Sequence, residues 1–312
     1  MKKIYKYLLT ILISIFFFTF LSEIYLRYIG LGDPIIYEKS ILYGYIPKKN
    51  QNIERFNNSK ITINNNSFRT HNDKSYQNKI FFLGDSVTYG GSYIDNKELF
   101  SSKVCMQLNK EFKKKFSCYN GGVNAYGFEN IIKRLEHLEV QKNDHVILTF
   151  ILGNFYRNFT QIESLPYFTK QHTHILKANT EMFAFILDKI RSSLRFNKRK
   201  FENFDKLNQL EILKIKIDEN FKLLKKIMDS NKNIIVILSP SKNFYEKSKS
   251  YEIEKYLFEK YADNSKIFSI NNLIDQNLIS KIYYDNIHLN KNGHKIYSKI
   301  IFLLLKNKIN NE

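Results

Sequence analysis

Apolar runs of strand length recur along this chain and alternate with stretches of helical periodicity. The clearest runs are residues 79–84, 145–152 and 233–238, which are almost continuously apolar. Such a run is typical of a strand that is buried on both faces, as in a parallel sheet covered by helices. Strands that alternate with helices also favour right-handed crossover connections. The pattern therefore predicts an α/β protein, a three-layer α/β/α sandwich around a parallel five-stranded sheet.

The remaining elements follow from weaker patterns. Further strands are predicted at 116–120 and 267–270, and helices at 99–115, at 209–228, from about 127 and after Gly293. In the first of these helices, large apolar residues recur every four positions, which is the spacing of one helix face. Residues 155–208 form a large insertion between the third strand and the long helix, and the folded domain is predicted to cover 79–312.

The first thirty residues have the composition of a membrane segment. Three of the first six residues are lysines, and residues 7–21 are all apolar, aromatic, Ser or Thr. A charged start followed by such a run is an export signal or a single membrane anchor. No small-x-small cleavage pattern follows, which favours an uncleaved anchor over 1–30, and a buried helix of a soluble protein is the alternative. The early lysines predict a cytoplasmic N-terminus and a domain outside the membrane.

Two charges interrupt the apolar segment near its end. Glu23 and Arg27 lie four residues apart on one helix face, so they are expected to neutralise each other in part. Residues 31–78 are rich in Asn and turn residues, and they are expected to be a connector with short strands that pack on the edge of the domain.

A serine follows the first predicted strand, and an acid and a histidine stand far downstream. Ser86 lies in Gly84-Asp85-Ser86-Val87, and Asp285 and His288 lie in Asp285-Asn286-Ile287-His288. Active sites of parallel α/β sheets lie beyond the carboxyl ends of the strands. There, Asp285 would fix the Nδ1–H of His288 and leave its Nε2 to take the serine proton. The alternative for the serine is a helix N-cap. The pattern favours a serine esterase or acyl transferase.

Other function classes have little support in the sequence. There is no Gly-x-Ser-x-Gly elbow, zinc-protease, phosphate-loop or dinucleotide motif, so no cofactor and no metal are predicted. His71 with Asp73 is a second His–Asp pair, and His172 and His174 are too few ligands for a metal site. The formal charge is +19, but the lysines are scattered among acidic residues and no nucleic-acid motif occurs, so nucleic-acid binding is not predicted.

The chain has two cysteines, Cys105 in a predicted helix and Cys118 in a predicted strand. Helix-to-sheet packing usually leaves a larger Cα separation than the ~5.5 Å that a disulfide prefers. Two buried free thiols are therefore the expectation, and a disulfide is the alternative if the chain is exported.

The chain resembles the SGNH (GDSL-type) hydrolase superfamily in four blocks that follow the family's order. Gly84-Asp85-Ser86-Val87 is similar to the first block, residues 120–127 to the second, Asn154 to the asparagine of the third, and residues 285–290 to the last. The anchor, with residues 44–47 and 66–69, is also similar to membrane-anchored members of the cell envelope.

The resemblance implies a flavodoxin-like catalytic domain and a set of site residues. Ser86 would be the nucleophile, His288 the base and Asp285 its orienting acid. The oxyanion hole would consist of the Ser86 N–H, the Ala125 N–H and the Asn154 side chain. The chain departs from the family in two places: Ala125 replaces a glycine, and Leu152-Gly153-Asn154-Phe155 stands where Gly-x-Asn-Asp is common.

The function that the resemblance implies is an O-acyl hydrolase, in the first place an O-acetyl hydrolase. It would form an acyl-enzyme on Ser86 and act on an acylated glycan or lipid of the cell envelope. The same residues would serve an O-acyltransferase that modifies a surface polysaccharide. The altered third block leaves a catalytically silent, membrane-tethered glycan-binding or assembly protein as a further alternative.

Overall fold

The computed structural model describes residues 2–71, 75–162, 168–200, 206–230, 233–247, 250–263 and 265–311. The strands are β1 Tyr37–Ser40, β2 Gly44–Pro47, β3 Gln51–Arg55, β4 Ser59–Ile63, β5 Asn78–Gly84, β6 Phe116–Gly122, β7 His145–Phe150, β8 Ile234–Leu238 and β9 Ile267–Ser269. The helices are α1 Lys2–Tyr28, α2 Ser86–Tyr89, α3 Phe100–Glu111, α4 Phe128–Glu136, α5 Leu152–Tyr156, α6 Lys177–Lys200, α7 Lys206–Ser230, α8 Lys242–Tyr245, α9 Tyr251–Tyr261 and α10 Lys291–Asn310.

Five strands form one parallel sheet in the order β6-β5-β7-β8-β9. This is the flavodoxin-like order of doubly wound sheets, in which the strand order reverses between the first and third strands in sequence. The reversal lies between β5 and β7, and ligands of such sheets bind beyond the carboxyl ends of the strands at this point. The predicted fold class is therefore confirmed, and the topology indicates where a site belongs.

Each face of the sheet has its own apolar core. Phe81 and Leu83 of β5 pack in a cluster with side chains of α4, α7 and α9. Ile80 and Phe82 point to the other face, where the cluster includes side chains of α3 and α10. Complete burial of such a side chain is worth about 1.5–3 kcal/mol relative to exposure. Because both faces are covered, β5 is apolar at successive positions instead of alternating with polar residues.

The two cysteines form a disulfide, with Cα atoms 5.8 Å apart, so the expectation of two free thiols is wrong. Only four residues connect α3 to β6. The side chain of Asn109 ties the helix end to the strand, because its Oδ1 accepts the N–H of Phe116 at 2.7 Å and its Nδ2 donates to the Phe116 carbonyl at 2.9 Å. This short connection brings Cys105, one turn before Asn109, within reach of Cys118.

The segment before the sheet forms two antiparallel hairpins, β1 with β2 and β3 with β4. Tyr45 and Ile61 of these hairpins are completely buried. Arg69 follows β4, and its buried guanidinium donates to the carbonyls of Tyr89 at 2.8 Å and Gly91 at 2.7 Å. This segment therefore adds to the core and also holds the loop that follows α2.

The N-terminal helix α1 is, in the described part of the chain, the one helix long and apolar enough to span a membrane. The candidate span runs from Lys3 to Tyr28, and an 18-residue window within it has a mean hydropathy of 2.0 and is 6% buried. Arg27 donates to Glu23 at 2.7 Å, which is the predicted pair. Glu23 itself is 3% exposed, because the end of α1 packs on the start of α6.

Candidate active site

The turn after β5 presents the side chain of Ser86 beyond the carboxyl edge of the sheet. A Cβ on Gly84 would lie 2.1 Å from the Thr88 Oγ1 and 2.7 Å from the Thr149 carbonyl oxygen, so only glycine fits there. Asp85 is the N-cap of α2, since its Oδ1 accepts the N–H of Val87 at 3.0 Å. Because Asp85 is the cap, the alternative role of Ser86 as an N-cap does not apply, and its hydroxyl faces another partner.

Three side chains that are distant in sequence meet at this edge. The Nε2 of His288 lies 2.8 Å from the Oγ of Ser86, and its Nδ1 lies 2.7 Å from the Oδ2 of Asp285. A carboxylate only accepts hydrogen bonds, so Nδ1 carries the proton and a neutral imidazole accepts the serine hydroxyl on Nε2. The structure thus brings together the three side chains that the sequence pattern singled out.

Asp285 is held in its charged form. Burial acts to raise the pKa of this carboxyl. Hydrogen bonds from the backbone N–H and imidazole of His288 and from the N–H of Ile287 outweigh burial and keep the pKa below its ordinary value. Both backbone N–H groups lie 2.8 Å from Oδ1. The acid that faces the imidazole is therefore an anion throughout the neutral range.

The loop that carries the acid and the base is closed by backbone bonds. The N–H of Tyr284 donates to the carbonyl of His288 at 2.8 Å, and the N–H of Asn290 donates to the carbonyl of Ile282 at 2.9 Å. Asn290 also caps α10, since its Oδ1 accepts the N–H of Gly293 at 3.0 Å. The His288 side chain is 32% exposed, so the loop fixes the imidazole and leaves it open to solvent.

Asn154 lies in α5, the short helix that follows β7, and β7 is the neighbour of the strand that leads to Ser86. Its Oδ1 accepts the N–H of Ile151 at 2.7 Å, and its Nδ2 donates to the carbonyl of Tyr126 at 2.8 Å. Nδ2 has two N–H groups, so one remains as a donor after the bond to Tyr126. The third block is thus joined to the second block at the residue after Ala125.

Ala125 adopts a φ of +58°, in the left-handed region that glycine enters most readily. An alanine in this region costs roughly 1–2 kcal/mol. The departure from the family's glycine is therefore accommodated with the backbone in a glycine-like conformation. The roles of Ser86, Ala125 and Asn154 as oxyanion donors stay predictions.

The other departure has a structural reason. Phe155 stands where the family commonly has an aspartate, and it is completely buried. It stacks between Phe128, with centroids 5.8 Å apart, and Phe221, with centroids 5.0 Å apart. The position points into the apolar core, where an unpaired carboxylate would be costly to bury.

Arg157 is a residue of the site that the sequence reasoning missed. Its Nη1 lies 3.2 Å from the Oδ2 of the fully buried Asp85 and 3.4 Å from the carbonyl oxygen of Tyr126, which also accepts from Asn154. Its side chain is 29% exposed. Arg157 thereby links the three blocks around Ser86. Its position, one helical turn after Asn154, was the available signal.

Two tyrosine rings stack beside the acid of the triad. Tyr93 and Tyr284 have ring centroids 4.0 Å apart and planes inclined by 20°. Tyr284 precedes Asp285 and is 64% exposed. Burial, with a contribution from nearby Asp285, raises the pKa of Tyr93, so the Tyr93 hydroxyl stays neutral. The two rings form an open aromatic surface next to the catalytic loop.

The competing histidines have other surroundings in the part of the chain that the structure describes. Asp73, the partner proposed for His71, lies outside the described residues. The rings of His172 and His174 are 5.2 Å apart, but in the described ranges no three His, Cys, Asp or Glu residues group as a metal site. His294 accepts the N–H of Phe100 at 3.2 Å, and burial lowers its pKa to about 3, so it is a neutral structural residue.

Comparison with known proteins gave matches to solved structures only. No protein-family model matches the chain, and neither does any curated protein sequence. The chain is similar to a lipase/acylhydrolase from Enterococcus faecalis, with 15% identity and a TM-score of 0.46 over 74% of this chain and 97% of that chain. It is also similar to an acetylxylan esterase from Geobacillus stearothermophilus, with 15% identity and a TM-score of 0.40 over 72% and 92% of the two chains.

A third similar structure is a member of the lipolytic protein G-D-S-L family from Veillonella parvula. The identity is 13% and the TM-score 0.38, over 71% of this chain and 94% of that chain. The family named there is the one that the four sequence blocks resemble.

Proposed function

We propose that this protein is a serine esterase that removes O-acyl groups through an acyl-enzyme on Ser86. The observation that carries the proposal is the hydrogen-bonded chain from Ser86 Oγ to His288 Nε2, at 2.8 Å, and from His288 Nδ1 to Asp285, at 2.7 Å. A nucleophile, a base and an orienting acid within bonding distance are what acyl transfer requires. This arrangement favours an enzyme over a catalytically silent binding protein.

In the first step, Ser86 Oγ attacks the ester carbonyl while His288 Nε2 takes the hydroxyl proton. Asp285 stabilises the imidazolium that forms. The oxyanion accepts hydrogen bonds from the N–H groups of Ser86 and Ala125 and from the Asn154 side chain. Each such donor typically lowers the barrier by about 3 kcal/mol. The tetrahedral intermediate then collapses, and the alcohol leaves with the proton that His288 holds.

In the second step, a hydroxyl group attacks the acyl-enzyme with His288 again as the base. Water as the attacking group gives hydrolysis, and a sugar hydroxyl gives O-acyl transfer. The half-exposed imidazole is open to bulk water, which supports the hydrolase over the transferase.

The substrate that we propose is an O-acylated, in the first place O-acetylated, glycan. The exposed face of Tyr284, supported by its stack on Tyr93, offers a flat apolar surface beside the triad. Such a surface fits the C–H face of a sugar ring, and a polar tyrosine rim suits the sugar hydroxyls. An acylated lipid headgroup that carries a sugar would use the same surface.

The full chain in detergent, assayed with p-nitrophenyl acetate, tests the esterase. We expect Ser86→Ala to lower kcat at least about 10³-fold, because no other group replaces the nucleophile. Ser230→Ala is the matched control: this serine ends α7 at the opposite edge of the sheet, and its hydroxyl donates to the helix carbonyl of Ile227 at 2.8 Å. Equal turnover in the wild type and Ser86→Ala would refute the esterase.

Acetylated oligosaccharides test the substrate class in the same preparations. We expect Tyr284→Ala to raise KM for the oligosaccharide about three- to tenfold, the equivalent of about 1 kcal/mol of aromatic contact. Tyr284→Phe keeps the ring and loses only the hydroxyl, so it should raise KM less than Tyr284→Ala does. An equal loss on p-nitrophenyl acetate would mean that Tyr284 acts through the loop and not on a sugar. Acetyl groups that appear on an added glycan, with no free acetate, would establish the transferase instead.

A further inference from the structure

Helix α6 carries large apolar side chains that the folded domain leaves open. We call Phe183, Ile186 and Ile190 the α6 surface; they are 60%, 46% and 51% exposed, respectively. Residues 183, 186 and 190 are three and four apart, so they share one side of the helix. Contiguous exposed apolar residues mark a surface that another molecule or a membrane covers.

The start of α6 is bonded to the end of α1. The carboxylate of Glu23 accepts the N–H groups of Ala178 at 3.0 Å and Asn179 at 2.9 Å. The Asn179 side chain bonds the hydroxyl of Ser22 at 2.8 Å and donates to the carbonyl of Thr19 at 3.2 Å. A carboxylate at the first N–H groups of a helix is a favourable arrangement. The level of α6 along α1 is therefore fixed at residues 19–23.

The other side of the α6 start is bonded to the folded domain. Arg55 of β3 donates to Glu181 at 3.0 Å, and both side chains are almost fully buried. The N–H of Gly32 also donates to Glu181, at 2.6 Å, and Lys177 pairs with Asp33 at 2.6 Å. Helix α6 thus lies between α1 and the hairpins, and it cannot turn its exposed side away without breaking these bonds.

One occupant fits the α6 surface. The uninterrupted apolar part of α1 ends near Leu21, and almost all of its side chains are exposed, so with α1 in a bilayer the membrane boundary falls at the level where α6 starts. Exposed Arg191 follows the apolar residues along α6, and such a cation is attracted to anionic headgroups. We infer that α6 is an interfacial membrane helix, with its α6 surface in the headgroup region of the bilayer that holds α1.

This inference adds a second membrane contact to the anchor and is independent of the esterase proposal. A single spanning helix lets a tethered domain rotate and tilt. A second helix that lies in the interface would hold the domain in one orientation towards the lipid surface. The inference is specific for the bilayer, because a second copy or another protein on the α6 surface would shield these side chains from lipid.

Tryptophan fluorescence in the full chain tests it, because the sequence contains no tryptophan. The chain is reconstituted in vesicles of phosphatidylcholine and phosphatidylglycerol, and Phe183→Trp is compared in vesicles with and without brominated acyl chains. Two further variants serve as references. Phe16→Trp lies within α1 and reports on the bilayer, and Ile41→Trp lies in the β1–β2 turn, where the side chain is fully exposed. Ile186→Trp repeats the measurement on the same side of α6.

We expect bromine near the headgroup end of the acyl chain to quench Phe183→Trp and Ile186→Trp at least threefold more than Ile41→Trp. Phe16→Trp should be quenched most by bromine deep in the chain. The inference is overturned if both α6 variants are quenched no more than Ile41→Trp, or if Phe16→Trp is not quenched. It is also overturned if both α6 variants are shielded from aqueous iodide but not quenched by bromolipid. That result would mean that a protein partner covers the α6 surface. Esterase turnover of the same preparations reports separately on the proposed function.

Discussion

Asp85 and Ser86 are neighbours in the turn after β5, and they have different roles. Asp85 satisfies the helix N–H group, so the Ser86 hydroxyl is left for His288. Arg157 in turn pairs with the second oxygen of Asp85, which would otherwise be a buried charge without a cation. A buried carboxylate that loses such a partner is costly to the fold, by about 1–3 kcal/mol for one unsatisfied group.

The acid of the triad allows a test at the level of one atom. We expect Asp285→Asn to lower kcat for p-nitrophenyl acetate about 10³- to 10⁴-fold with little change in KM. The amide would favour the wrong imidazole tautomer and would not stabilise the imidazolium. Asp263→Asn is the control, because Asp263 also accepts backbone N–H groups, including that of Ile267 at 2.9 Å, but lies at the amino end of β9. A loss of less than tenfold in Asp285→Asn would contradict the assigned role.

The same variant has an expected effect on acid stability. The pKa of Asp285 is lowered in the folded protein, so its charge stabilises the fold above its unfolded pKa of about 4. This contribution is lost as the pH falls through the folded pKa. When the pH is lowered from neutral to strong acid, the unfolding temperature of Asp285→Asn should therefore fall less than that of the wild type. An equal fall in both proteins would mean that the hydrogen bonds to Asp285 are not maintained.

Site residues that stand in local motifs could be predicted from the sequence, whereas those that act through partners distant in sequence could not. Ser86, Asp285 and His288 stand in short motifs at the ends of elements, and each motif's chemistry is readable without its neighbours. Arg157 acts by a contact with Asp85, 72 positions earlier, and its place three residues after Asn154 marks it as near the site without revealing that partner. The φ of Ala125 was open in the sequence for the same reason, since it depends on the turn that the second block makes against β5.

At the scale of elements, α3 and β6 behave as one covalent unit. The disulfide joins Cys105 and Cys118 across 13 positions. Closing a loop of about this length removes chain entropy worth about 3 kcal/mol from the unfolded state. The bond also ties β6, which lies at one edge of the parallel sheet, to α3.

Removing both cysteines measures this contribution. We expect the double variant Cys105→Ser, Cys118→Ser to have a free energy of unfolding lower by about 2–4 kcal/mol. Urea denaturation of the protein in detergent measures this difference. The esterase kcat should stay within twofold, because neither cysteine touches the triad. The wild type in dithiothreitol should shift towards the double variant, and a double variant as stable as the oxidised wild type would contradict the stabilising role.

The sequence predicted the main strands and helices, but it was less accurate about where some of them end. The five parallel strands fall within two residues of their predicted limits because continuous apolar runs bounded by turns leave few alternatives. Helix α3 ends at Glu111 instead of residue 115, because Phe112 turns back to pack edge-on against Phe116, with centroids 6.2 Å apart. Contacts of this kind depend on the tertiary arrangement, which local periodicity does not contain.

At the scale of the whole molecule, α1 and the disulfide favour the same compartment. A disulfide persists in oxidising surroundings outside the cytoplasm, and the lysines in the first turns of α1 favour a cytoplasmic N-terminus. We therefore propose that the folded domain lies outside the membrane. The packing of α1 on α6 could not be foreseen, because Glu23 was explained by its partner Arg27 and its second partner lies 155 positions later.

Alkaline phosphatase fusions check this orientation, since the enzyme is active only after export. A fusion after residue 40 should be active, and a fusion after residue 6, before the apolar run, should be inactive. Activity that is reversed between the two positions would place the domain in the cytoplasm.

The wide separation of Ser86 and His288, 202 positions apart, has a consequence for how the protein is made. A ribosome synthesises the nucleophile's strand long before the loop that carries the base. A nascent chain that has β5 but lacks the loop before α10 has no group to activate the hydroxyl. In the proposed mechanism, ester cleavage can therefore begin only after nearly the whole domain has been synthesised and has folded.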